Sequence, residues 1–286
     1  RYPNLFLEAE GIAEGAGIPF EDLFTIICEE EILDLRVPDY LCNDNSSIPH
    51  CTNVAIKTKD NKILIGHNED WLPEYCRNGL VIVKGKIKNN KFLSLGYLGS
   101  LPGTSCGLTS KGFAFTVNSL QFRKFRYEVP RGFQLAELLE IKDPKSIMKV
   151  LDFSKSSISG NTMLTWANSK ILDVEELYEH NEKFFSNKWF VHTNHPLLKK
   201  DQDYTNTLKE SVKRYNRAVE ILIKEKHPKL STIKKILSDH KTGICEHNQK
   251  KFWYVTIASA IINPTDKWME ICHKNPCRNK YKRYHL

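Results

Sequence analysis

The order in which apolar segments change their period constrains this chain more than any other feature. Short β-type runs at 54–57, 63–66, 80–84, 92–98 and 113–117 follow one another, separated by turn residues such as Lys59-Asp60-Asn61. Residues 132–153 then read as helical, with Asp143-Pro144 opening a second helix. Strand character returns at 163–167 and 189–192, helix at 207–226 and 231–238, and strand again at 254–262 and 268–272 across the turn Asn263-Pro264-Thr265-Asp266. Ahead of these, 4–16 and 20–34 read as helices. The second follows Pro19 and holds Glu21 and Asp22 in its first turn, where negative charge suits the helix dipole. Strands in blocks, without regular βαβ alternation, predict an α+β fold. No internal repeat or linker divides the chain, so a single compact domain is expected.

Charge is divided as sharply as texture. Residues 1–50 carry 11 acidic side chains and two basic ones, a net of −9. Residues 51–286 carry 40 basic against 23 acidic, a net of +17. The split suggests an acidic piece docked on a basic body. Lys274, Arg278, Lys280, Lys282 and Arg283 lack a nucleic-acid motif and read as a solvated tail, so no nucleic-acid partner is expected. The longest apolar run, 255–262, is far short of the roughly 20 residues that cross a bilayer, so no membrane partner is expected either. The chain begins at Arg1 rather than Met, which leaves room for a leader or further sequence upstream.

Eight cysteines are too sparse for a disulfide scaffold. Cys245-Glu246-His247 offers two metal ligands, but no second pair of matching type accompanies it, and neither metal nor cofactor is expected. Asn45-Ser46-Ser47 is a glycosylation sequon only in a secreted chain. A cytoplasmic location is the expectation, with lysosomal and secreted locations as alternatives.

One cysteine stands apart. Cys51 follows the polar loop 38–50, precedes the first β-type run and sits where the charge changes sign. Cleavage of the His50–Cys51 bond would leave a thiol and an α-amine on one residue. With reference pKa values of about 8.5 and about 7.7–8.0, the amine can take the thiol proton near neutral pH. The alternative is a buried or disulfide-bonded cysteine. Gly66-His67-Asn68-Glu69-Asp70-Trp71 ends the second run, so a hairpin across 59–62 would bring Asp70 beside Cys51. Asn118, in Val117-Asn118-Ser119, and Asn194, in His192-Thr193-Asn194-His195, end other runs with amides suited to an oxyanion. His192 and His195 could instead cap a strand or ligate a metal.

Together, Cys51-Thr52-Asn53-Val54, the 66–71 motif, the 94–103 run, Phe190-Val191-His192-Thr193-Asn194-His195 and Leu237-Ser238-Asp239-His240 resemble the acyl-coenzyme A:6-aminopenicillanic acid acyltransferase family. That family includes penicillin-forming acyltransferases and insect hydrolases of β-alanyl amines. Residues 11–17 resemble its propiece. The resemblance implies a four-layer α-β-β-α sandwich of the N-terminal-nucleophile hydrolase type, made as a precursor that cuts itself. Residues 1–50 would be the acidic propiece or small α chain, and 51–286 the catalytic β chain, both within one domain. By the same resemblance, Cys51 is the nucleophile, Asp70 its supporting carboxylate and Asn194 the oxyanion amide. Asn118 would be a second oxyanion residue, and Arg214 an active-site arginine. The sequence departs from the family pattern at His50, commonly glycine, and at Glu246, where arginine is common.

The implied reaction is amide hydrolysis of a small N-acylated substrate through a thioester. Acyl transfer from an acyl-CoA donor at the same site is the alternative. A catalytically silent scaffold, or a zinc hydrolase built on His192, His195 and distant cysteines, would be the other readings.

Overall fold

The computed structural model describes residues 2–36, 51–120, 126–141, 143–153, 156–167, 170–178, 180–198, 208–247 and 254–286. The polar loop 38–50, with His50 and the sequon, lies outside the described residues. The hairpin expected across 59–62 is present: β1 (Thr52–Lys57) pairs antiparallel with β2 (Ile63–Trp71). On its other edge β1 takes β10 (Trp189–His192). The far edge of β2 takes β11 (Val255–Asn263), followed outward by β12 (Trp268–His273) and β13 (Lys282–His285). A second antiparallel sheet runs in chain order through β3 (Leu80–Ile87), β4 (Asn90–Tyr97), β5 (Cys106–Thr109), β6 (Phe113–Ser119), β7 (Gly160–Trp166), β8 (Ile171–Glu176) and β9 (Asn181–Ser186).

The period-2 alternation of strands sorts side chains into layers. Ala55, Ile63 and Ile65 point between the sheets and meet Leu93, Leu95 and Met163. Val54, Ile56 and Leu64 point the other way, onto α7 (Leu208–Ile223) and α8 (Leu230–Leu237). Phe113, Phe115 and Val117 cover the outer face of the second sheet beneath α5 (Arg131–Leu138) and α6 (Pro144–Phe153). With helices outside both sheets, β2 is buried along its whole length. Gly66 permits the helix contact: a Cβ there would lie 2.4 Å from Ile233 Cγ2 of α8.

The N-terminal helices are α1 (Pro3–Ala16), α2 (Phe20–Ile27) and α3 (Glu29–Arg36). The single helix expected over 20–34 is thus two, parted at Cys28. Leu5, Ala9 and Ala13, four apart, pack with Leu23 and Ile27 against Leu101, Phe133 and Ala136 of the body. A one-turn α4 (Tyr75–Asn78) follows β2.

The basic end is not wholly a solvated tail. Residues 282–285 form the edge strand β13, where Arg283 stacks 4.1 Å over the Trp268 ring and reaches Glu270 at 2.7 Å. Among the described residues, no helix is long and apolar enough to cross a membrane.

Candidate active site

Cys51 stands at the start of a strand with a neighbour on each side. One ladder pairs Thr52 with Asn68, and the other pairs Asn53 with His192. Continued past the strand end, these registers set Cys51 opposite Glu69 on one side and Asn194 on the other. The buried Cys51 thiol points at Glu69 Oε1, 3.6 Å away, and at the Asp70 carbonyl, 3.8 Å away.

Arg214, on the inward face of α7 and 1% exposed, joins the two sides. Its Nη1 donates to the Cys51 carbonyl at 2.7 Å and to Thr52 Oγ1 at 3.2 Å. Its Nη2 donates to Asn194 Oδ1 at 2.9 Å. Asn194 in turn donates through Nδ2 to the Ser119 carbonyl at 2.9 Å. The fold therefore brings Cys51, Asp70, Asn194 and Arg214 together. Asn118 lies in the same cluster, but its amide is turned to the carbonyls of His192 and Thr193, at 3.2 and 3.1 Å. That contact braces the segment carrying Asn194.

The electrostatics are unusual for a buried site. Burial pushes the Cys51 thiol well up, and the carboxylates of Glu69 and Asp70 push it further; Arg214 pulls the other way. Asp70 is itself driven well above the carboxylate range by burial, against the pull of Thr256 and Arg214. Glu246 is raised to about 7 by burial, again opposed by Arg214.

Sequence reasoning passed over Glu69, whose carboxylate the thiol faces at 3.6 Å. Burial alone would raise its pKa, yet its partners His67 and Tyr97 hold it below the usual range. Tyr97 donates to Oε1 at 2.8 Å, and His67 Nε2 lies 3.0 Å from Oε2. His67 Nδ1 is fixed by Asn53 Oδ1 at 2.7 Å. Strand alternation carried the missed signal. In the 66–71 motif His67, Glu69 and Trp71 share the face between the sheets, while Asp70 looks toward α7.

His192 and His195, the alternative metal ligands, each meet protein partners. His192 Nε2 sits 2.8 Å from Glu175, and although desolvation pulls its pKa down, the charge of Asp173 and the hydrogen bond to Glu175 raise it above the usual value. His195 Nδ1 lies 2.8 Å from Ser211 Oγ. Neither belongs to a three-ligand cluster among the described residues.

The thiol does not face open solvent. Cys51, Glu69, Tyr97 and Asn118 line a cavity of only about 50 Å³, closed by Ile27 and by Glu29, Glu30 and Glu31 of α3. Small-molecule sites usually span about 300–1,000 Å³. Ser119 donates to Glu30 at 2.7 Å, the Arg131 backbone N–H to Glu31 at 2.7 Å, and Tyr75 to Glu29 at 2.6 Å.

The model of the acyl-coenzyme A:6-aminopenicillanic acid acyl-transferase family matches residues 56–278. The chain belongs to that family. The match begins just beyond Cys51, so the ladders, not the family model, locate the thiol. The beta-alanyl-dopamine/carcinine hydrolase of Drosophila melanogaster is 28% identical over 161 residues, 52% of this chain. The chain spans only 41% of that relative's length. The fold is shared with the Caenorhabditis elegans ortholog of N-acylethanolamine-hydrolyzing acid amidase, with TM-score 0.60 and 13% identity over 75% of this chain and 93% of the other. It is shared too with a conjugated bile acid hydrolase from Clostridium perfringens, with TM-score 0.57 and 15% identity over 82% and 97%. The two stacked sheets with outer helices are thus the α-β-β-α sandwich of N-terminal-nucleophile hydrolases.

Proposed function

We propose that the chain is a self-processing cysteine N-terminal-nucleophile amidohydrolase acting on a small N-acyl amide. The observation that carries this reading is a buried thiol at a strand start, facing Glu69 Oε1 and the Asp70 carbonyl, with Arg214 tying its residue to Asn194. Two carboxylates and a thiol share this buried site with a single cation, Arg214. Cleavage before Cys51 would add a second cation and a proton acceptor, because it creates an α-amine on the same residue as the thiol.

In the proposed cycle the Cys51 thiol gives its proton to that amine as sulfur bonds the substrate carbonyl carbon. Asn194, oriented by Arg214, and backbone N–H groups hold the oxyanion. Collapse breaks the C–N bond, the α-ammonium returns its proton to the departing amine, and an acyl thioester remains on Cys51. Water then adds to the thioester and restores the thiol. Asn118 acts by holding the Asn194 segment in place. Residues 1–50 form the α chain and 51–286 the β chain of one domain, and displacement of α3 opens the cavity to substrate.

The Drosophila relative and the amidase-like structural neighbours support hydrolysis of an acylated amine. The family's own description favours acyl transfer, with an acyl-CoA donor, as the second reading. Mass spectrometry of purified protein is the first test: a fragment beginning at Cys51 is expected, and Cys51→Ala stays full length. Intact wild-type protein whose thiol also resists alkylation would sink the proposal in favour of a silent scaffold. Amine release from β-alanyl amines, N-acylethanolamines and penicillins, with and without an acyl-CoA donor, then separates hydrolysis from transfer.

A further inference from the structure

Sulfur and imidazole ligands converge at a second place, away from Cys51. The turn after α8 carries His240, Cys245 and His247, and the connection from β12 to β13 carries Cys277. Cys245 Sγ lies 3.6 Å from Cys277 Sγ and 3.9 Å from His247 Nε2. Cys277 Sγ lies 3.2 Å from His247 Nε2. The His240 ring meets His247 edge-on, with centroids 5.7 Å apart, and the ligand atoms of His240, His247 and Cys277 all fall within 4.8 Å of one another.

These separations match one particular object. Tetrahedral zinc bonds sulfur at about 2.3 Å and imidazole nitrogen at about 2.0–2.1 Å, which places two sulfurs about 3.8 Å apart and sulfur about 3.5 Å from nitrogen. The two sulfur–nitrogen distances at His247 bracket that value and the sulfur–sulfur distance lies close to its own, while Cys245 stands outside the 4.8 Å group that holds His240. A disulfide would explain two sulfurs but not two imidazoles turned toward them. Two hydrogen-bond donors reach the Cys245 sulfur as well. Asn275 Nδ2 points at Cys245 Sγ at 3.5 Å, and the Cys277 backbone N–H faces the same sulfur. Two thiolates also cancel the charge of a divalent ion, so nearby Arg278 does not oppose it.

We propose that Cys245, His247, Cys277 and His240 form a Cys2His2 zinc site. Mixed thiolate and imidazole ligands in tetrahedral array select zinc, and four protein ligands leave no open position for catalysis. The site is a staple. It ties the turn after α8, already held by Asn68 to the Leu237 and Ile244 carbonyls at 2.9 and 2.7 Å, to the β12–β13 connection. Between two of its ligands lies Glu246, whose backbone pairs with Thr256, the residue opposite Asp70 in the β2–β11 ladder. The assignment holds whether or not Cys51 is the nucleophile.

Elemental analysis of the full chain, purified under reducing conditions, should find one zinc per chain. Chelated protein reloaded with cobalt should show the visible d–d bands of a tetrahedral thiolate complex. Cys277→Ser and His247→Ala should lose both signals, whereas Cys272→Ala, a buried neighbour outside the four, should keep them. Chelation should lower the melting temperature of wild type but not of Cys277→Ser. The proposal is overturned if reduced wild-type protein takes up neither zinc nor cobalt. It is equally overturned if both ligand variants keep wild-type zinc, or if peptide mapping finds a Cys245–Cys277 disulfide in the native protein. Should the variants fold poorly, the wild-type cobalt spectrum decides alone.

Discussion

Arg214 holds three acceptors with one guanidinium, and two of them belong to the residues proposed as nucleophile and oxyanion donor. Its charge also pulls the pKa values of Asp70 and Glu246 down against the effect of burial. Removing one partner of a buried charge cluster costs about 3–5 kcal/mol. Arg214→Ala should therefore unfold at markedly lower urea concentration than wild type. Arg214→Lys should recover part of that stability but little activity, since one ammonium cannot span the Cys51 carbonyl and Asn194 together. Full activity in the lysine variant would refute the bridging role. For Asn194→Ala, kcat should fall about 10²–10³-fold, the usual effect of deleting an oxyanion donor, with folding retained. Glu69 tests the thiol itself. Burial, Glu69 and Asp70 all raise the Cys51 pKa, so Glu69→Gln removes one of the raising charges. The pH profile for alkylation of Cys51 should then move to lower pH; an unchanged profile would show that Glu69 does not act on the thiol.

At the scale of elements, α3 carries its charge into a poor solvent. Burial lifts Glu31 from an ordinary 4.5 to about 7 and also raises Glu30. A folded pKa above the unfolded one favours the folded state while the group is protonated. The contribution of Glu31 is therefore complete below its unfolded pKa and is lost as pH rises through about 7. Amide exchange in α3, corrected for intrinsic rate, should be slower at mildly acidic than at mildly alkaline pH, and Glu31→Gln should flatten the difference. His195 has the opposite sign: burial lowers it to about 3, so it costs stability as pH falls below its ordinary 6.5, but in the β10–α7 region rather than in α3. Why α3 separates from α2 was not legible in the sequence, because a helical pattern does not reveal that a glutamate triplet must turn inward. The hairpin carrying Cys51 and Asp70 was legible, since apolar alternation and a turn fix its register. β8 was missed because its buried face holds Asp173 and Glu175, made tolerable by His192 from a distant strand. β9, with alternate residues exposed, and the charged edge strand β13 lack the apolar signal altogether. The Cys245 ligand pair looked isolated because Cys277 reaches it only through tertiary structure.

For the whole molecule, the division of charge invites an electrostatic account of how residues 1–50 stay attached to the rest, and the packing favours another. Between the −9 segment and the +17 body, the described contact is a continuous apolar cluster of Leu5, Ala9, Ala13, Leu23 and Ile27 on Leu101, Phe133 and Ala136. Among the described residues, Glu30, Glu29 and Glu31 accept hydrogen bonds from Ser119, Tyr75 and the Arg131 backbone N–H. The Arg131 guanidinium acts on Glu30 and Glu31 through charge without outweighing their burial. Long-range attraction between opposite net charges would be screened within about 3 Å in 1 M salt, whereas apolar burial is not weakened by it. Once cleaved before Cys51, the two chains should therefore still elute together from a sizing column in 1 M sodium chloride. They should part only in urea, near the midpoint at which the body itself unfolds. Separation by salt alone would mean that the charge division, not the α1–α2 packing, holds the pieces together. Separation in urea well below the body's midpoint would instead mark residues 1–50 as an independently detaching cover.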